Sequence, residues 1–160
     1  MTILIRALVT VCVMLFTTTV TADPEAVFAR KLAQAERGDL QAQYDVGYRY
    51  EKGRGIEEDE ELAFQWYMKA AERGLDTAQY KVGVSYLDGS GVDPDPEQAK
   101  AWLEKSANQG YPPAQFHLGK FCANRLHDYD QALAWLEKAQ NNGYEPATRE
   151  IFRIRSKASD

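Results

Sequence analysis

His117, Cys122 and His127 are the residues best suited to metal binding or thiol chemistry, and they lie five positions apart. Five residues turn an α-helix through about 500°, which leaves His117 and Cys122 about 140° apart. They cannot share a ligand face. His117 stands in a polar position that recurs at Asp45 and Lys81, so it is expected to face solvent. Cys122 takes the position of Tyr50 and Tyr86, where the helical periodicity puts the core, and reads as a small buried apolar residue. His127 directly precedes Asp128 in a tight turn and reads as a loop residue.

The carboxylates point no more strongly to chemistry. Counted from Asp88 as a calcium loop, Val92 holds the fifth position, Asp93 the sixth instead of glycine, and Ala99 the twelfth instead of glutamate. That loop fails. The run from Glu57 to Glu61 covers a turn and the start of a helix, where carboxylates favour the helix dipole, and it reads as a solvated cap. No Ser-His-Asp set, zinc spacing or phosphate loop occurs. The expectation is a protein that is not an enzyme and uses neither metal nor cofactor.

The elements that position these residues come from a repeat. Gly38, Gly74 and Gly110 are 36 residues apart, and Gly143 follows 33 later. Trp66, Trp102 and Trp135 keep the same intervals, as do Ala63, Ala99 and Ala132, and Ala42, Ala78, Ala114 and Ala147. A fixed period of this length marks stacked helical units. In each unit a first helix opens near Ala42, Ala78 or Ala114, with apolar residues at three- and four-residue spacing. A Gly-x-Gly turn follows at Gly53 and Gly55, and again at Gly89 and Gly91. The second helix starts at Asp59, Asp95 and Asp128, each able to accept from free N–H groups. Gly47, Gly83 and Gly119 sit mid-helix, where glycine costs about 1 kcal/mol against alanine. A small residue from the second helix is expected to lie against each.

The fold class that follows is all-α, a superhelix of about three helix-turn-helix units with a half-unit at each end. Residues 23–38 make an N-terminal capping helix; 39–74, 75–110 and 111–143 are the full units; 144–160 form a basic C-terminal capping helix. Residues Ala78 to Tyr86, then Gly89, Gly91, Asp95, Ala99, Trp102 and Gly110, resemble the Sel1-like repeat, a relative of the tetratricopeptide repeat. Residues 39–74 match equally well, whereas 111–143 lack the Gly-x-Gly turn and are three residues shorter. The resemblance implies a right-handed superhelix with a concave groove, and a scaffold or adaptor role. Some similar proteins carry a cysteine pair in every repeat and are linked to penicillin binding; no such pairs occur here.

Residues 1–22 have one positive charge at Arg6, an apolar stretch, and a small-residue end at Ala22 before Asp23-Pro24. Those are the parts of a secretory signal peptide. The apolar run is shorter than the roughly twenty residues of a spanning helix. The mature chain is therefore expected to start at Asp23, without membrane insertion, in the periplasm or outside the cell; the alternative is that residues 1–22 stay uncleaved as an N-terminal anchor. The formal charge of −5 becomes one unit more negative once Arg6 is lost, a poor match for nucleic acid.

By the tetratricopeptide analogy, first helices line the concave wall. Tyr44, Tyr80 and Phe116 form one ladder, Tyr48, Val84 and Lys120 the next, and Glu51, Leu87 and Ala123 lie one turn on. The first ladder could equally pack one unit on the next. The second varies from unit to unit, as a recognition surface does. The expected partner is a protein or peptide held in this groove by a monomer, with Lys69 on the opposite, convex side taking no part. For an exported bacterial member, the implied setting is the cell envelope; the alternatives to an adaptor there are a structural component of an envelope machine and a cell-wall-directed hydrolase.

Overall fold

The computed structural model describes residues 23–157. The expected signal peptide, residues 1–22, lies outside the described residues. The helices are α1 (Pro24–Glu36), α2 (Leu40–Lys52), α3 (Glu60–Glu72), α4 (Asp76–Asp88), α5 (Pro96–Asn108), α6 (Pro112–Phe121), α7 (Tyr129–Asn141) and α8 (Pro146–Lys157). A π-helical turn, Cys122–Leu126, follows α6. Each helix packs against its neighbours in the chain, and no strand occurs among the described residues. The chain is an α/α solenoid.

Caps set the boundaries. The carboxylates of Asp39, Asp59, Asp95 and Asp128 accept from the amides of Ala42, Leu62, Gln98 and Gln131 at 2.8 to 3.1 Å. Each such cap contributes about 1 kcal/mol. The turn glycines bind units together. A Cβ on Gly55 would lie 2.1 Å from the Pro24 carbonyl oxygen, and one on Gly91 would lie 2.1 Å from that of Glu60. Each turn thus rests on the start of the second helix of the preceding unit, at a distance only glycine permits.

The third unit solves the turn differently. Arg125 stands where Gly53 and Gly89 end α2 and α4 in the left-handed conformation. A side chain disfavours that conformation. The helix instead widens into the π turn, His127 takes the left-handed position at φ 53°, and Asp128 caps α7 at once.

Mid-helix glycines mark the closest approach within each unit. A Cβ on Gly47 would lie 2.8 Å from Tyr67 Cδ1 and 3.1 Å from the Ala63 carbonyl oxygen. At Gly83 the neighbours are Leu103 Cγ at 2.8 Å and Ala99 O at 3.2 Å; at Gly119 they are Leu136 Cγ at 2.7 Å and Ala132 O at 3.1 Å. The close approach is present, but the expectation of a small side chain needs correcting. The alanine brings its backbone near, while a fully buried Tyr or Leu one turn later fills the space the glycine leaves. Dispersion contacts of those large side chains offset the propensity cost of glycine.

A further tie escaped the sequence reading. Gln43, Gln79 and Gln115 are buried, and their Nε2 groups donate to the carbonyls of Ala35, Ala71 and Ala107 at 3.1 to 3.2 Å. Each adds a side-chain bond to a carbonyl that already accepts from the amide of Gly38, Gly74 or Gly110, and so ties a first helix to the last turn of the second helix before it.

Candidate functional site

The residues expected on the first-helix surface are half-buried, which fits either packing or contact with a partner. Tyr44 lies 5.4 Å from the ring of Tyr67, Tyr80 lies 5.4 Å from the rings of Tyr111 and His117, and Phe116 lies 5.2 Å from Tyr144. Tyr80 and Phe116 therefore pack on the following unit, whereas Tyr44 meets Tyr67 of its own unit. Burial is the main reason the Tyr44 and Tyr80 phenols are pushed up to about 12, so both stay neutral.

The second ladder is held more loosely. Arg54 lies over the Tyr48 ring at 5.0 Å, and the Lys120 ammonium is 5.5 Å from the Phe116 ring centre. Val84 lines a cleft described below. Leu87 packs against the core formed by the last two units. Ala123 does not join the groove. It is 3 % exposed inside the π turn.

His117 also departs from expectation. It is half-buried rather than solvated, its Nε2 lies 3.3 Å from the Tyr80 hydroxyl, and its ring packs on Phe116. Burial, followed by the nearby Lys120 charge, lowers its pKa and favours the neutral ring. The recurring position of Asp45, Lys81 and His117 proves to be a seam between units: Asp45 pairs with Lys31 at 2.6 Å, and Lys81 with Glu51 at 2.7 Å. Cys122 is fully buried, as its place in the repeat requires, and burial pushes its thiol up.

Glu51 is the strongest polar junction on this surface. Its Oε2 accepts from the Tyr67 hydroxyl at 2.6 Å and from Lys81 Nζ at 2.7 Å, while Oε1 meets Lys52 Nζ at 2.9 Å. It therefore ties α2 to both α3 and α4. Beside it opens a cleft of about 240 Å³ whose lining includes Glu58, Glu60, Phe64, Val84, Ser85 and Asp88. Sequence reasoning found Glu51 and Val84 but missed Lys81, Tyr67 and Ser85. Glu51 and Lys81 are 30 residues apart, so no helical spacing links them.

On the second helices, Lys69, Lys105 and Lys138 place their ammonium groups 3.7, 3.6 and 3.9 Å from the ring centres of Trp66, Trp102 and Trp135. Lys69 is thus part of a repeated cation–π contact, not a featureless surface lysine. Among the described residues no group of three or more His, Cys, Asp or Glu could hold a metal, and no helix is long and apolar enough to cross a membrane.

Helix pairs of fixed period, glycine-seamed, with each second helix packed on the first helix of the next pair, define a repeat solenoid. The chain belongs to the Sel1 repeat family, whose model matches residues 40–75, 76–111 and 112–144. Among solved structures it is similar to a protective antigen of uropathogenic Escherichia coli displaying an SLR fold, with 28 % identity and a TM-score of 0.78; the match covers 82 % of this chain and 29 % of that one. It is also similar to a Sel1 repeat protein from Oxalobacter formigenes, at 32 % identity and TM-score 0.73, covering 79 % of this chain and 54 % of that one. A third is an immunity protein from Pseudomonas aeruginosa, at 27 % identity and TM-score 0.59, covering 79 % and 49 %. The chain thus spans between 29 % and 54 % of the length of these structures. Comparison with curated proteins gives no match. Sel1 repeats generally act as protein-interaction scaffolds.

Proposed function

We propose that this protein is a non-catalytic adaptor of the bacterial cell envelope that holds a protein or peptide partner along its first helices. The observation that carries this reading is the ladder of Tyr48, Val84 and Lys120. These three half-buried positions differ in chemistry from unit to unit, while the glycines, caps and glutamines beneath them repeat. A surface that varies on an invariant frame is suited to recognition. Tyr44, Tyr80, Phe116, Glu51 and Leu87 set its shape. Export rests on the signal-like character of residues 1–22, with the mature chain beginning at Asp23 in the periplasm or outside the cell. The likeness to an immunity protein supports a second reading in which this chain serves as one.

The test is a cross-linked pull-down from the envelope fraction. Tyr48→Ala with Lys120→Glu should abolish recovery of the main partner, since binding energy concentrates in a few such side chains. The helical circular dichroism and melting midpoint should barely change. Gln65→Ala, exposed on α3, serves as control in place of Lys69. Equal recovery with both variants would remove the binding surface from this ladder. Intact mass of the recovered chain tests export, with Asp23 as the expected first residue.

A further inference from the structure

The cleft beside Glu51 is lined by a few apolar side chains and an unbalanced set of charges. Phe64 and Val84 line it, while Glu58, Glu60 and Asp88 are exposed and make no side-chain hydrogen bond or ion pair among the described residues. The two lysines of the cleft, Lys52 and Lys81, are both already engaged by Glu51. The open side of the cleft is therefore negative. Ser85 supplies a second, independent sign of a ligand. It lines the cleft with only 8 % of its surface exposed, yet its hydroxyl has no hydrogen-bond partner among the described residues. Serines within helices commonly bond the carbonyl one turn back; this one does not.

The complementary occupant follows from these groups. The carboxylates do not converge as metal ligands. An extended cation matches better, with an aliphatic stem for Phe64 and Val84 and several donors for the carboxylates of Glu58, Glu60 and Asp88. The guanidinium is planar, always charged and carries five N–H donors, and its stem and face pack well on aromatic rings.

We propose that this cleft binds an arginine side chain of the partner. Phe64 and Val84 hold the stem, Glu58, Glu60 and Asp88 receive the guanidinium, and the Ser85 hydroxyl accepts one further N–H. The proposal rests on the adaptor reading above and states what chemistry the partner must carry near the start of the groove.

The experiment titrates the protein with N-acetyl-arginine amide and follows backbone amide shifts by NMR, with N-acetyl-citrulline amide as the uncharged equivalent. Saturable shifts at Phe64, Val84 and Ser85 are expected with arginine only, weakening as salt rises. Glu60→Gln with Asp88→Asn should weaken binding about tenfold, and Ser85→Ala severalfold. Saturable shifts confined to other residues, equal binding of citrulline, no saturation with arginine, or indifference to both variants would each overturn the cleft. Its failure is separable from that of the adaptor reading. If arginine does not bind but Tyr48→Ala with Lys120→Glu still loses the partner, the cleft falls alone. If arginine binds as expected but that double variant keeps the partner, the ladder falls alone.

Discussion

The hydroxyl of Tyr67 donates a 2.6 Å hydrogen bond to Glu51, whose same carboxylate oxygen accepts from Lys81 at 2.7 Å. Burial would raise the Glu51 pKa, but the hydrogen bonds from Lys81, Tyr67 and Lys52 outweigh it and hold the carboxyl at about 2, below its ordinary 4.5. A carboxyl with a lowered folded pKa contributes stability that is complete above the unfolded value and is lost as pH falls. Here the window runs from 4.5 down to 2. Glu51→Gln should cost about 1–3 kcal/mol at neutral pH, and the gap to the unaltered protein should close across that window. Urea melts at a series of pH values measure it. A gap that stays constant down to pH 2 would show that the charge on Glu51 contributes nothing.

Gly83→Ala should destabilise, although helix propensity alone favours alanine by about 1 kcal/mol. The new Cβ would lie 2.8 Å from Leu103 Cγ and 3.2 Å from the Ala99 carbonyl. Leu103 is fully buried and has no room to retreat. Overpacking of this kind costs about 1–3 kcal/mol, so a net loss of about 1 kcal/mol is expected in chemical denaturation. A stabilised variant would show that the two helices can separate freely.

Arg73→Gln should stabilise the protein. Gln109 donates both to the Gly74 carbonyl at 3.0 Å and to the side-chain oxygen of Gln79 at 2.7 Å, and Asn142 makes the corresponding bond to Gln115 at 3.0 Å. Arg73 reaches the Gly38 carbonyl at 2.6 Å but leaves Gln43 Oε1 buried without a partner among the described residues. A glutamine there can make both bonds, a gain of about 1 kcal/mol. An unchanged or lowered melting midpoint would show that this acceptor is already satisfied.

Cys122 should be unreactive until the fold opens. It is fully buried, its Sγ donates to Gln131 Oε1 at 2.9 Å, and burial raises its pKa. The thiolate is the reactive form, so maleimide labelling should be slow in buffer and rapid in urea. Fast labelling of the folded protein would place the thiol at the surface.

Local chemistry made much of the architecture legible in the sequence. Asp59, Asp95 and Asp128 announce helix starts because a side-chain oxygen there satisfies amides two or three residues on, a contact within one turn. The 36-residue spacing of Gly38, Gly74 and Gly110 exposes the solenoid because every unit leaves its second helix through the same left-handed residue, at φ 89°, 96° and 92°, which favours glycine. What lies between units was not legible. Lys81 reaches Glu51 across 30 residues, and His117 reaches Tyr80 across 37, at spacings no helix encodes. Those distances are set by how one helix pair rotates against the next, which depends on Gly55 and Gly91 resting on Pro24 and Glu60 and on the buried Gln43, Gln79 and Gln115 bonded to the helix before them. The cleft at Ser85 exists only once that rotation is fixed. Ala123 shows the same limit within one unit: its place in the repeat matches Glu51 and Leu87, yet it is buried within a π turn that the other two units do not have.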